Sequence, residues 1–172
     1  MKKVFLNMSA FSAGLFFATC QVGYFLHMEF NLSSSFVSYY VVIGLWIIGC
    51  GAGLMISLRG LGPWILLIGL SAFYMHSFFL KRYPYDMNMM PIYMLLIFLT
   101  ALYSGYFFRH ARRNFRSVKS LFFHENNGFL CGYLVAVVEL LLHGQFTQHV
   151  LPSLAAFGHL LLVFASKMEA KE

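Results

Sequence analysis

Glu139 is the one acid set well inside an apolar run, between Val135-Ala136-Val137-Val138 and Leu140-Leu141-Leu142. An ionisable side chain in such surroundings is costly and points to function. Four histidines fall on the same side of the expected topology: His27 ends the first apolar span, His76 lies in the third, His143 ends the fifth, and His149 follows in the adjoining loop. One acid and several imidazoles suit a proton relay, a haem or metal site, or a quinol pocket. Three of the four histidines stand at helix ends, where an imidazole also simply meets water and headgroups. His159 has no partner legible in the sequence. Gln21, in the first span, suits a hydrogen bond between helices.

Other chemistry is missing from the pattern. Cys20, Cys50 and Cys131 stand apart with no CxxC pair, which argues against a dithiol centre and a zinc cage. No Ser-His-Asp, HExxH or paired-carboxylate arrangement occurs, so no catalytic residue, metal or cofactor is assigned and no enzyme is expected. Gly49-Cys50-Gly51-Ala52-Gly53 lacks the Lys and Ser/Thr of a phosphate loop. Asn31-Leu32-Ser33 fits a glycosylation sequon by letter only.

The elements that carry these residues are set by composition. Of 172 residues, 60% are hydrophobic and only 10% charged. Soluble domains carry about a quarter charged residues, so this chain has too little charge to cover a water-facing surface. A spanning helix needs roughly 20 apolar residues. Six such spans are expected, at 4–26, 36–58, 61–80, 89–108, 128–142 and 151–166. The polar run His27, Glu29, Asn31 and Ser33-Ser34-Ser35 is expected to end the first span, its serines capping the second. Pro63, Pro91 and Pro152 each fall in an expected first turn, where a missing N–H costs nothing. The start, Met1-Lys2-Lys3 and then an apolar run, is read as an uncleaved first helix rather than a signal peptide. The expected fold is thus an all-α integral membrane protein in one domain, a bundle of about six transmembrane helices.

The net charge of +6 follows the same topology. With six crossings and both termini cytoplasmic, Lys2, Lys3, Arg59, Arg109, Arg112, Arg113, Arg116, Lys119, Lys167 and Lys171 face inward. Lys81 and Arg82 face outward. That bias of ten to two meets the positive-inside rule and predicts a multi-pass protein of the cell inner membrane. The basic balance therefore does not call for nucleic acid. Between spans four and five, Arg109, Arg112, Arg113, Arg116 and Lys119 fall on one side of a helical plot. Phe108, Ala111, Phe115, Val118 and Phe122 fall on the other. This predicts an interfacial amphipathic helix with its cations on anionic lipid headgroups. Small residues at close-approach spacing (Ala10, Gly14, Ala18; Gly49, Gly53; Gly128, Gly132) predict tight helix contacts.

Ala10-Phe11-Ser12-Ala13-Gly14, Cys20-Gln21-Val22, Ser33-Ser34-Ser35 and the run 44–53 together resemble the first two helices of the membrane domain attached to some bacterial spermidine synthases. The stretch 120–132, with Asn127, Gly128 and Gly132, is similar to that family's entry into its fifth helix. The resemblance implies a fold like half of a major-facilitator transporter. It departs at Gln21, where the family commonly has an acid, and no aminopropyl-transferase domain has a counterpart here. The expectation is a transporter-like half-bundle acting as a small-solute permeation unit or a membrane scaffold. Its expected partners are the bilayer and a second copy or another membrane protein. The alternative is a membrane subunit of an electron-transfer complex, binding haem or quinone near the histidines.

Overall fold

The computed structural model describes residues 2–32, 36–143 and 145–168; the side chains of residues 2, 143–149 and 166–168 are outside that description. Among the described residues there is no strand. The helices are α1 (Lys2–Asn31), α2 (Phe36–Met55), α3 (Gly62–Arg82), α4 (Met90–Ala111), α5 (Val118–His143) and α6 (Gln145–Met168). Short 3-10 turns at Met87–Met89 and Arg112–Asn114 flank α4. Five of the helical segments are long and apolar enough to cross a membrane. In α6 the apolar stretch is shorter, Val150–Ala165.

Several boundaries differ from the sequence reading. The polar run after residue 26 does not end α1. Asn31 Nδ2 donates to the His27 carbonyl at 2.8 Å, so the polar side chain serves the helix instead of breaking it. The proposed serine cap, Ser33 to Ser35, lies outside the described residues. Pro63 does fall in the first turn of α3, and Pro91 in that of α4. Pro152 does not: α6 starts at Gln145, so Pro152 lies inside the helix and removes one backbone donor there.

The expected interfacial helix is absent, because α4 ends at Ala111, a 3-10 turn follows, and Phe115 is extended. Ser117 then starts α5 ten residues earlier than residue 128, its Oγ accepting from the Ser120 amide at 3.2 Å. Phe108 and Phe122 do meet, stacked at 5.0 Å between centroids, but on two helices joined by a turn.

The chain divides into two compact units, one of Met1–Thr19 with Phe108–Glu172 and one of Cys20–Phe107. In the first, α1 crosses α5 through glycine. A Cβ on Gly14 would collide with the Glu125 carbonyl and the Phe129 amide, and one on Gly128 with the Phe11 carbonyl. In the second, α2 crosses α4 the same way. A Cβ on Gly105 would collide with the Cys50 carbonyl and the Leu54 amide, and one on Gly53 with the Leu102 carbonyl and the Tyr106 amide.

The two crossings are one pattern used twice. Gly105 follows Gly14, and Leu102 follows Phe11, by the same 91 positions; Glu125 follows Cys50, and Gly128 follows Gly53, by the same 75. The letters agree: residues 9–17 read SAFSAGLFF and residues 100–108 read TALYSGYFF. A third match is Pro-x5-Gly at 63–69 in α3 and at 152–158 in α6. The polar contacts at these places differ in kind. Thr100 on α4 donates to the Gly69 carbonyl on α3 at 2.7 Å. Its counterpart Ser9 on α1 engages His159 on α6, beside Gly158, through its main chain. The α1–α5 and α4–α2 crossings are therefore two copies of one contact, while α3 and α6 share letters alone: a Cβ on Gly69 would press on Thr100, and one on Gly158 would meet nothing within 4 Å.

Candidate functional site

Three helix faces converge inside the unit Cys20–Phe107. Tyr24 and His27 are three residues apart on α1, as are Phe73 and His76 on α3, so each pair shares a face. Tyr93, Leu96, Ile97 and Thr100 recur at helical spacing on α4, and all four are buried. Close approach is built in: a Cβ on Gly23 would strike the Phe73 ring, and one on Gly69 would press on the Thr100 backbone.

His76 is the centre of this cluster. It is 0% exposed, and His27 is 3% exposed. Tyr24 meets His76 edge-on at 4.6 Å between centroids, and Tyr93 meets it at 5.3 Å. Phe73 contacts Tyr24 at 5.0 Å and His27 at 5.4 Å. His27 and His76 are linked through Phe73 and Tyr24, which contact each other. Neither ring nitrogen of His76 has a hydrogen-bond partner among the described residues. A neutral imidazole carries one N–H and one lone pair. Leaving such groups desolvated and unpaired costs about 1–3 kcal/mol each.

The phenols beside it are satisfied. The Tyr24 and Thr100 hydroxyls meet at 2.6 Å, and the Tyr24 hydroxyl also reaches the Leu96 carbonyl at 3.2 Å. The Tyr93 hydroxyl donates to the Tyr83 carbonyl at 3.5 Å, just past α3. The loop it reaches is tied down. Tyr85, at φ 62, donates its amide to the Asn31 carbonyl at 2.8 Å, and Asp86 accepts from the Asn88 amide at 2.9 Å. At 1.5 Å per residue, His27 and His76 lie about 6 and 9 Å from the adjacent ends of α1 and α3.

Of the residues singled out from the sequence, His27 and His76 come together here. Gln21 is half-buried on α1 in the same unit, and Glu139 is half-buried on α5 in the other. The His143 and His149 side chains lie outside the described residues. His159, which had no legible partner, is buried with Nδ1 2.8 Å from the Ser12 hydroxyl. Arg112, Arg113, Arg116 and Lys119 are exposed around the α4–α5 turn, and Arg109 is half-buried.

Glu125 was missed as a candidate. It is 5% exposed, on a stretch of α5 that reads as a polar loop, His124-Glu125-Asn126-Asn127. The signal that would have found it is the internal repeat, which aligns Glu125 with Cys50 at a glycine crossing. No group of three or more His, Cys, Asp or Glu is arranged to hold a metal ion among the described residues.

No family model matches the chain. No curated protein and no solved structure matches it either.

Proposed function

We propose that the chain is a multi-pass protein of the bacterial inner membrane with a transporter-like half-bundle, and that two copies form a small-solute permeation unit. The observation that carries this reading is the internal repeat, with α1 on α5 and α4 on α2 locked by equivalent glycine contacts. Many solute transporters are built from paired structural repeats of this kind. Five helices long and apolar enough to span support the membrane setting, and so does the weighting of Lys and Arg toward one set of loops. The resemblance to the membrane domain attached to bacterial spermidine synthases fits the same architecture. The exposed cations around the α4–α5 turn suit anionic headgroups on the cytoplasmic side.

Two measurements test the proposal. Native mass spectrometry from lipid nanodiscs is expected to show a dimer. Liposomes holding the protein are expected to admit small polar solutes from a defined panel faster than empty liposomes do. A strict monomer with no protein-dependent entry would overturn it.

A further inference from the structure

We propose that two copies of this chain join along the outer face of α5, where Asn127 of one copy hydrogen-bonds to Asn127 of the other inside the membrane. The inference starts from side chains that lack a partner. Asn126 and Asn127 are exposed on α5, and no hydrogen bond joins either carboxamide to another of the described residues. At 1.5 Å per residue, Asn127 stands about 12 Å along the helix from Lys119. It therefore lies well inside the apolar stretch Val118–Leu142. Lipid tails offer such a group neither donor nor acceptor, so a carboxamide at that depth calls for a polar partner.

The residues around Asn127 indicate what that partner is. Phe123, Asn127, Leu130, Leu134, Val137 and Leu141 recur at spacings of four, three, four, three and four. This is the heptad seam of a helix pair, and it places Asn127 at an a position. Five of the six are exposed, and Val137 is half-buried. On the other side of α5, Gly128 and Gly132 pack on α1 and Glu125 is buried. Of the five long apolar helices, α5 is also the least buried. The matching place on α2, 75 positions earlier, holds Ala52, so the carboxamide is no part of the shared glycine pattern.

A second copy fits both features. A carboxamide carries donors and an acceptor, so it is complementary to another of its kind. Two copies inserted with the same orientation are related by a twofold axis along the membrane normal. Their α5 helices then run parallel, and residues at equal depth meet. A single Asn at an a position of an otherwise apolar seam favours this parallel, in-register pair. The interface deepens the permeation reading and rests on its two-copy assembly, not on solute movement.

The test mixes donor- and acceptor-labelled copies of the full chain in phosphatidylglycerol–phosphatidylcholine vesicles over a range of protein-to-lipid ratios. Energy transfer gives the dimer fraction. Asn127→Leu is expected to weaken association by about tenfold. Asn127→Gln keeps a carboxamide and is expected to restore most of it. Oxidation supplies a second readout that does not depend on the Asn127 variants folding. In a Cys131→Ser background, Leu134→Cys on the seam is expected to give a disulfide-linked dimer, and Val135→Cys off the seam to give none.

Unchanged association in Asn127→Leu, or cross-linking through Val135→Cys and not Leu134→Cys, would overturn this interface and leave the two-copy reading standing. A monomer at every protein-to-lipid ratio would overturn both. A dimer linked through α5 that admits no solute would support the interface and sink only permeation.

Discussion

The Tyr24 and Thr100 hydroxyls meet at 2.6 Å, joining α1 to α4 inside one compact unit. Thr100 in turn donates to the Gly69 carbonyl at 2.7 Å, so one hydroxyl ties three helices. Thr100→Val keeps the shape and removes the link. It is expected to destabilise the fold by about 1 kcal/mol, the scale of hydrogen bonds between membrane helices. Tyr24→Phe is expected to add little to Thr100→Val, because both remove the same bond. Reversible unfolding in mixed detergent, run as a double-mutant cycle, measures this; fully additive losses would contradict the shared bond.

Glycines at the two crossings should be intolerant in the same way. Gly53→Ala and Gly128→Ala each place a methyl against a facing carbonyl, whereas Gly44 and Gly51 face open space. The first two are expected to lose about 1–3 kcal/mol by overpacking. Gly44→Ala and Gly51→Ala are expected to leave the melting temperature unchanged. Thermal unfolding of the four single variants gives the comparison, and equal effects would refute the close contact.

Glu125 lies buried where α5 crosses Gly14. Glu125→Gln keeps the volume and the hydrogen-bonding capacity without a charge, so it is expected to fold within about 1 kcal/mol of the parent. Glu125→Lys puts an ammonium in the same place and is expected to cost several kcal/mol. Yield and unfolding midpoint of the two variants decide the matter.

Replacing Arg112, Arg113, Arg116 and Lys119 together by Gln should weaken retention of anionic lipid by about 1 kcal/mol per charge at low salt. Native mass spectrometry with phosphatidylglycerol reads the change, and phosphatidylcholine retention is expected to stay the same. Unaltered phosphatidylglycerol retention would mean that these cations do not hold headgroups.

The sequence showed apolar length better than helix ends. Residues 36–58, 61–80 and 89–108 come close to α2, α3 and α4 because apolar runs and first-turn prolines mark them. The end of α1 was misplaced because Asn31 satisfies its own helix, which polarity alone does not reveal. The start of α5 was missed because His124-Glu125-Asn126-Asn127 looks like a loop until Gly14 and Gly128 show what it packs on. That His27 and His76 fall in one aromatic cluster required the faces of α1 and α3 to be known. The repeat, by contrast, was legible all along in SAFSAGLFF and TALYSGYFF.

Three is an odd number, and that has a consequence for the duplicated design. Were all six helices to cross a bilayer, the second triplet would enter from the face opposite to the first, and the shared glycine crossings would carry no preferred direction. Any sense of inward versus outward would then be written where the copies disagree: the uneven Lys and Arg of the loops, Glu125 against Cys50, Ser12 against Tyr103. Those mismatched letters, rather than the shared glycines, are where polarity across the sheet of lipid would have to originate.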